Sequence, residues 1–338
     1  MNRLVHRTHK AGSLDDLKLI TEDLPDPKDD EVTIEVKAVG LNFADVFALV
    51  GLYSATPKGS FVPGLEFSGN VVKLGKNVTR FNIGDKIMGV TRFGGYATHL
   101  NIGSAYIYNL PSTWSYAEGA GFIAQSLTAY YALFPLGNLQ EGNTVLIHSA
   151  AGGVGIYANR IAKKYKAYTI GSIGNANKIE TLQKEGYDDY IVRDKNFYKN
   201  LQDKLKGRIL NLVLECIGGK IFEDSFKSLA PAGRIVVYGS ANFAPESDSP
   251  NIFKLGYQYL TRPKIDPLSM ISSNKSLLAF NLIWLWDKIE ELSLMLEKIL
   301  EMQLSPPLIG KTFPFANALD ALHYFKSGKS VGKVILLT

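Results

Sequence analysis

The chain has 338 residues, 37 basic against 32 acidic side chains, a formal charge of +5 and 46% hydrophobic residues. That length suggests roughly two domains of about 150 residues each, and the apolar fraction with low net charge excludes wholesale disorder. The single cysteine, Cys216, excludes an intramolecular disulfide and a thiolate zinc cluster, and an isolated thiol suits a reducing cytosol. The most apolar stretch, 277–286, is about half a membrane-spanning length. The opening MNRLVHRTHK has no apolar run behind it, so no secretory signal is expected.

The first third reads as β-rich. Residues 32–38 and 69–74 alternate as half-buried strands do, 86–90 is a further short strand, and closely spaced glycines suit the turns of a small antiparallel barrel. Residues 115–134 read as helical. Strands and helices then alternate: strand 144–149, helix 154–165, strand 167–172, helix 177–185, strand 210–216, helix 219–229, strand 233–239. That order predicts a parallel sheet with right-handed crossovers, so the fold class is α/β. Residues 240–275 read as an irregular insertion with a short helix from Pro267, 276–284 as a last strand, and 287–303 as a helix with three- and four-residue apolar spacing. The short apolar strands of the tail should rejoin the first domain. The expected domains are 1–124 with 303–338, and 125–302.

HSAAGGVG at 148–155 follows a buried strand and opens a helix. Ala150, Gly152 and Gly155 occupy the three small-residue places of the dinucleotide fingerprint. Gly152 would let the backbone approach a pyrophosphate, and Gly155 would let helix and strand pack closely. The helix N-terminus turns unpaired N–H groups and a positive dipole end toward phosphate; Ala151, Gly152, Gly153 and Val154 are the candidate contacts. An NAD-binding fold usually carries Asp or Glu about 20 residues on, to bond the ribose 2′-hydroxyl. Here Ile170-Gly171-Ser172 stands there instead, with Lys178 and Arg193 nearby. A missing carboxylate with two available cations suits a 2′-phosphate, hence NADPH. Either cation could equally be a solvated surface residue.

This turn, GLNFADVFALVGLY at 40–53 and PGLEFSGNVVKLG at 63–75 together resemble the medium-chain dehydrogenase/reductase superfamily, and within it the zinc-independent quinone oxidoreductases. Residues 262–285 are most similar to the branch containing the vesicle membrane protein VAT-1. The resemblance covers nearly the whole chain. It implies a GroES-like β-barrel catalytic domain, a Rossmann doubly wound parallel-sheet domain, a cofactor cleft between them, and a homodimer joined through the strand near 278–284. It also implies that Asn42, Tyr53 and Thr128 serve the reaction. Asn42 would meet the nicotinamide ribose or the acceptor, Thr128 would lie near the nicotinamide, and Tyr53 would face the acceptor as a hydrogen-bond or proton donor, or simply pack. Gly239 and Ser240 should lie under a ribose, Phe280 should place backbone groups near the carboxamide, and Lys333 should reach a phosphate.

The residues themselves support a zinc-free assignment. Leu65 and Asn42 stand where zinc-dependent relatives carry ligands, and His6, His9, His99, His148 and His323 show no ligand spacing. His148 reads as a core histidine with one bonded nitrogen, and Cys216 as a buried inert thiol. Phe47 replaces a common second tyrosine, which favours simple hydride transfer in an apolar pocket over a proton relay. Phe47, Tyr53, Tyr96 and the 240–275 loop should shape that pocket.

The leading expectation is a cytoplasmic NADPH-dependent reductase of quinones or related conjugated carbonyls. A 2-alkenal or enone double-bond reductase is the alternative enzyme. A poorly catalytic NADPH-binding interaction or membrane-associated protein is the alternative from another class, with the apolar 277–286 segment serving either a membrane or a dimer. No nucleic-acid partner is expected: Lys163, Lys164, Lys166 and Lys184 make at most a weak basic patch.

Overall fold

Alternation along Glu31–Gly40 turns Val32, Ile34, Val36 and Ala38 inward, and in the computed structural model this strand is the spine of a seven-stranded sheet. The structure describes residues 1–245 and 247–338; Glu246, inside the expected 240–275 loop, lies outside the described residues. Glu31–Gly40 pairs antiparallel with Glu66–Leu74 and His99–Gly103, and the sheet continues through Lys86–Val90 to Ile107–Asn109. Its other side is made from the tail. Lys333–Leu337 pairs with Glu31–Gly40, and Ile309–Pro314 pairs with Lys333–Leu337. The tail therefore returns to the first sheet, as its apolar strands suggested. A hairpin of Asn2–Thr8 and Leu17–Asp23 and a helix, Ala318–Lys326, were not anticipated.

The second sheet has six strands, all parallel. Its spatial order is Asp189–Val192, Tyr168–Ile173, Thr144–His148, Leu210–Glu215, Leu229–Val237, Ser276–Ala279. In strand sequence that is 3-2-1-4-5-6, the doubly wound order that opens a crevice where the direction of winding reverses. The crevice lies at the C-terminal ends of Thr144–His148 and Leu210–Glu215, just where the glycine-rich turn begins.

Three local expectations are corrected. Residues 240–275 are not mostly irregular: they contain the helix Ile252–Leu260 besides the expected Pro267–Ser273. Asn251 and Asp266 cap these helices by accepting backbone N–H bonds. The last strand ends at Ala279, because Asn281 accepts the Ile283 N–H and starts a 3-10 turn over Leu282–Lys288. The most exposed large apolar side chains lie on the two inserted helices and not on 277–286. Ile252, Tyr257, Leu260, Leu268 and Ile271 are exposed and Phe253 is 91% exposed, whereas within 277–286 Trp284 is the large hydrophobic residue that stands out. Among the described residues, no helix is long and apolar enough to cross a membrane. Three of the four lysines of the basic patch are paired, Lys163 with Asp188, Lys166 with Glu141 and Lys184 with Glu180.

Candidate active site and cofactor cleft

The first sheet meets the helix Ile123–Tyr131 along a buried polar seam. Asn42 ends the loop before the helix Phe43–Leu49, Glu66 opens its strand, Gln125 lies on the helix Ile123–Tyr131, and Lys333 opens the last strand. Lys333 is 3% exposed and Glu66 1%. The Lys333 ammonium donates to Glu66 Oε1 at 2.5 Å, the Leu41 carbonyl at 2.7 Å and Asn42 Oδ1 at 3.3 Å. Gln125 Nε2 donates to Asn42 Oδ1 at 2.6 Å and Glu66 Oε1 at 3.1 Å, and Asn42 Nδ2 donates to Glu66 Oε1 at 3.0 Å. Asn42 is thereby held by three side chains from three elements. The expected reach of Lys333 to a phosphate is not what the structure places there, because its ammonium is committed to Glu66 and the seam.

Asp45 fixes the same loop from behind. Fully buried, it accepts the Asn42 N–H at 2.8 Å, the Gly64 N–H at 3.2 Å and the Tyr96 hydroxyl at 3.3 Å. Burial pushes its carboxyl up to about 7, although the two N–H bonds oppose the shift. Tyr96 is a fully buried core side chain bound to Asp45, which corrects the expectation that it shapes the pocket.

Tyr53 bridges the two halves: its hydroxyl donates to Asn281 Oδ1 at 2.8 Å, just past the last parallel strand. Burial raises the phenol to about 12, so it stays protonated at neutral pH. Thr128 donates to the Ala124 carbonyl at 2.6 Å, a back-bond to the preceding helical turn. Phe280 gives its N–H to the Val237 carbonyl and packs its ring on Tyr131 at 4.9 Å.

The glycine-rich turn is tight in the way the sequence requires. Ser149 adopts a φ of 50°, and Gly152 caps the helix Gly153–Lys164. A Cβ on Gly155 would lie 2.6 Å from the Ser149 carbonyl oxygen and 2.7 Å from Ala150 Cα, so only glycine lets the helix sit this close to the strand. The N–H groups of the helix's first turn have no intrahelical partner by geometry. On its far side the turn is tied to the tail, where the Gly332 N–H donates to the Ala151 carbonyl at 2.8 Å.

At the ends of the second and third parallel strands the two expected cations come together. Arg193 NH1 donates to Ser172 O at 3.0 Å and Ser172 Oγ at 3.1 Å. Lys178 Nζ donates to the carbonyls of Gly328 at 2.6 Å and Ser330 at 2.7 Å. Burial, with Arg193 adding, holds Lys178 below its usual value, and burial likewise holds Arg193 down. Among the described residues no carboxylate ion-pairs with either. Ser172 itself is fully buried, with both its oxygens accepting from Arg193 NH1. Gly239 packs against Cys216, and the Ser240 hydroxyl donates to Asn242 Oδ1 at 2.9 Å. Cys216 is half-buried, not fully buried as expected; its thiol donates to Ser149 Oγ at 3.3 Å, and desolvation pushes it up to about 11.

A strap that sequence reasoning missed crosses from the second sheet to the first. The Asp248 carboxylate contacts Lys326 Nζ at 2.8 Å and His323 Nε2 at 2.9 Å, and its carbonyl accepts the Leu14 N–H at 3.1 Å. Beside it lies a cavity of about 520 Å³ lined by Phe43, Ala241, Ala244 and Pro245. No sequence spacing links Asp248 with His323, because they meet only when the strap reaches the last helix. Asp15 joins them as a third candidate ligand group, but the Lys326 ammonium already holds Asp248.

Two family models match the chain: the alcohol dehydrogenase GroES-like domain over residues 28–162 and the zinc-binding dehydrogenase over residues 153–280. The residues at the seam do not fit a catalytic zinc. Leu65 and Asn42 offer no suitable ligand there, and a lysine ammonium occupies the Glu66 carboxylate. The synaptic vesicle membrane protein VAT-1 homolog of Danio rerio is 30% identical over 334 residues, covering 97% of this chain and 68% of that protein. Among solved structures, CurK enoyl reductase superposes with a TM-score of 0.83 at 26% identity, covering 99% of both chains. Mycobacterial Rv1454c, solved as a complex with NADPH, shares the fold with a TM-score of 0.86 at 23% identity, covering 99% of this chain and 100% of that one.

Proposed function

The chain belongs to the medium-chain dehydrogenase/reductase superfamily, in the VAT-1-like branch of its zinc-independent quinone oxidoreductase family, and from that premise we propose that it is an NADPH-dependent reductase of quinones or related conjugated carbonyls. The observation that carries this reading is the pair Lys178 and Arg193: two partly buried cations with no carboxylate partner among the described residues, beside a glycine-rich turn that opens a helix. An acceptor-only dianion such as a 2′-phosphate satisfies both cations, whereas a 2′-hydroxyl would need the missing carboxylate.

The residues that would hold the cofactor are Ala151, Gly152, Gly153 and Val154 at the pyrophosphate, Lys178 and Arg193 (seated by Ser172) at the 2′-phosphate, and Gly239, Ser240 and Phe280 along the ribose and carboxamide. When bound, NADPH supplies a hydride from its nicotinamide C4. Asn42, clamped by Gln125, Glu66 and Lys333, holds the nicotinamide ribose in one place. Thr128 packs the wall beside it. Tyr53, protonated and anchored on Asn281, offers its hydroxyl to an acceptor oxygen, and Phe43, Phe47 and the strap exclude water. Lys333 acts through Asn42 and makes no phosphate contact in this reading.

An enone double-bond reductase remains the second enzymatic reading; it uses the same hydride geometry, and the fold of CurK enoyl reductase favours it. The exposed apolar helices Ile252–Leu260 and Pro267–Ser273 adjoin the edge strand Ser276–Ala279, which supports a homodimer covering them. The division into 1–124 with 303–338 and 125–302 follows the two sheets, and the lone thiol suits the cytoplasm. The test is cofactor oxidation by purified protein in EDTA, NADPH against NADH, with an ortho-quinone, a para-quinone and a 2-alkenal. NADPH-selective turnover with a quinone supports the main reading. Turnover with the alkenal alone moves the protein to the second. Cofactor binding without turnover overturns both in favour of an interaction protein.

A further inference from the structure

We infer that His148 is a positioning residue for cofactor choice: through Ser172 it fixes the Arg193 guanidinium in the orientation that accepts a 2′-phosphate. This rests on the NADPH reading and deepens it. His148 is fully buried at the end of its strand, directly before the glycine turn. Its Nδ1 lies 3.0 Å from Ser172 Oγ; its Nε2 lies 2.9 Å from Ser225 Oγ and 3.1 Å from Glu215 Oε2.

Counting donors around the ring, with Glu215 ionised, places the protons. The Ser225 hydroxyl donates to the Ile221 carbonyl at 2.7 Å, so its oxygen can only receive from the imidazole. Glu215 Oε2 has no hydrogen-bond partner of its own, and it faces the same nitrogen. Burial pushes the Glu215 carboxyl up to about 7, so above that pH it is ionised, both neighbours of Nε2 are acceptors, and Nε2 carries a proton. Burial holds the ring well below its usual pKa, so it is neutral and Nδ1 is bare. A bare Nδ1 takes the Ser172 hydroxyl hydrogen. The Ser172 oxygen is left with its lone pairs toward Arg193 NH1 at 3.1 Å.

The chain of donors thus runs one way, from Arg193 through Ser172 and His148 to Ser225 and Glu215. It joins both walls of the crevice, because Glu215 Oε1 accepts the N–H groups of Ile217 and Gly218 just beyond the fourth parallel strand. With NH1 anchored twice on Ser172, Nε and NH2 have no hydrogen-bond partner among the described residues and remain as donors. Without the Nδ1 acceptor, the Ser172 hydrogen is free to turn toward Arg193, where it opposes the guanidinium N–H.

The test is a titration of ligand-free protein with NADPH and with NADH, followed by dihydronicotinamide fluorescence without any acceptor substrate. Asn at 148 keeps an acceptor oxygen near the place of Nδ1; Gln moves its amide to the place of Nε2. His148→Gln should weaken NADPH about tenfold and leave NADH within about twofold, the scale of one lost charge-assisted hydrogen bond. His148→Asn should keep the preference. Ser172→Ala leaves the histidine in place and should reproduce the selective loss, which guards against a histidine variant that fails to fold. Equal weakening of both cofactors in His148→Gln and Ser172→Ala, or no change in either, overturns the inference. Nitrogen-15 spectra of the ligand-free protein above the Glu215 value of about 7 provide the independent check: an Nε2-protonated His148 is expected, and an Nδ1-protonated ring overturns the chain. A wild type with no preference for NADPH overturns the cofactor reading itself, which the tautomer measurement does not depend on.

Discussion

Replacing Lys333 with Met removes the only ammonium from the seam and leaves the Glu66 carboxylate buried with amide donors alone. Oε1 keeps Asn42 and Gln125, and Oε2 keeps the Ala124 N–H at 3.3 Å. The side chain is 3% exposed and its partner 1%, so water cannot take over the lost contact without opening the packing around it. Breaking a buried pair from one side costs about 3–5 kcal/mol, most of it the uncompensated charge. Unfolding entropy of about 2.1 cal/mol/K per residue gives about 0.7 kcal/mol/K for a chain of this length, so the midpoint should fall by about 4–7 °C. The assay is thermal and urea unfolding of ligand-free Lys333→Met, Glu66→Gln and the double variant. Glu66→Gln in the Lys333→Met background removes the stranded charge and should recover more than half of the loss. A fall below about 1 °C in the single variant, or a double variant no more stable than Lys333→Met, would refute the claim that this pair holds the seam.

Three further outcomes follow from the same geometry. Asp45 titrates near 7 when folded against 3.8 for the ordinary group, so the folded state keeps a proton that the unfolded chain has lost, and its contribution to stability falls as pH rises from about 4 to about 7. Asp45→Asn should flatten that part of the stability–pH curve, and an unchanged slope would count against the assignment. Gly155→Ala drives a methyl group into the Ser149 and Ala150 backbone and should destabilise by about 1–3 kcal/mol while weakening nucleotide binding; wild-type values for both would show that the turn is looser than drawn. If the proposed homodimer is covered by these helices, wild-type protein should sediment as a dimer and Phe253→Ser with Tyr257→Ser as a monomer without altered NADPH affinity; a wild-type monomer, or an unchanged coefficient in the variant, would refute that placement.

The parallel sheet, the glycine turn and the missing ribose carboxylate were legible in the chain itself, because they are set by local rules. Strand alternation, helix periodicity and small residues at a strand-to-helix turn act over a few neighbours, and so Thr144–His148, the helix from Gly153 and the cations Lys178 and Arg193 stood out. What the tertiary structure decided are the partnerships between distant segments. Lys333 lies 267 residues from Glu66, Tyr53 lies 228 from Asn281, and Asp248 finds Lys326 only across the two sheets. Desolvation at such meetings turns a lysine expected at a phosphate into a seam cation, makes Tyr96 a core residue, and makes His148 the middle of a proton-ordered chain. Those roles depend on which buried charges and hydrogens must be satisfied together, and that accounting exists only once the chain has closed on itself.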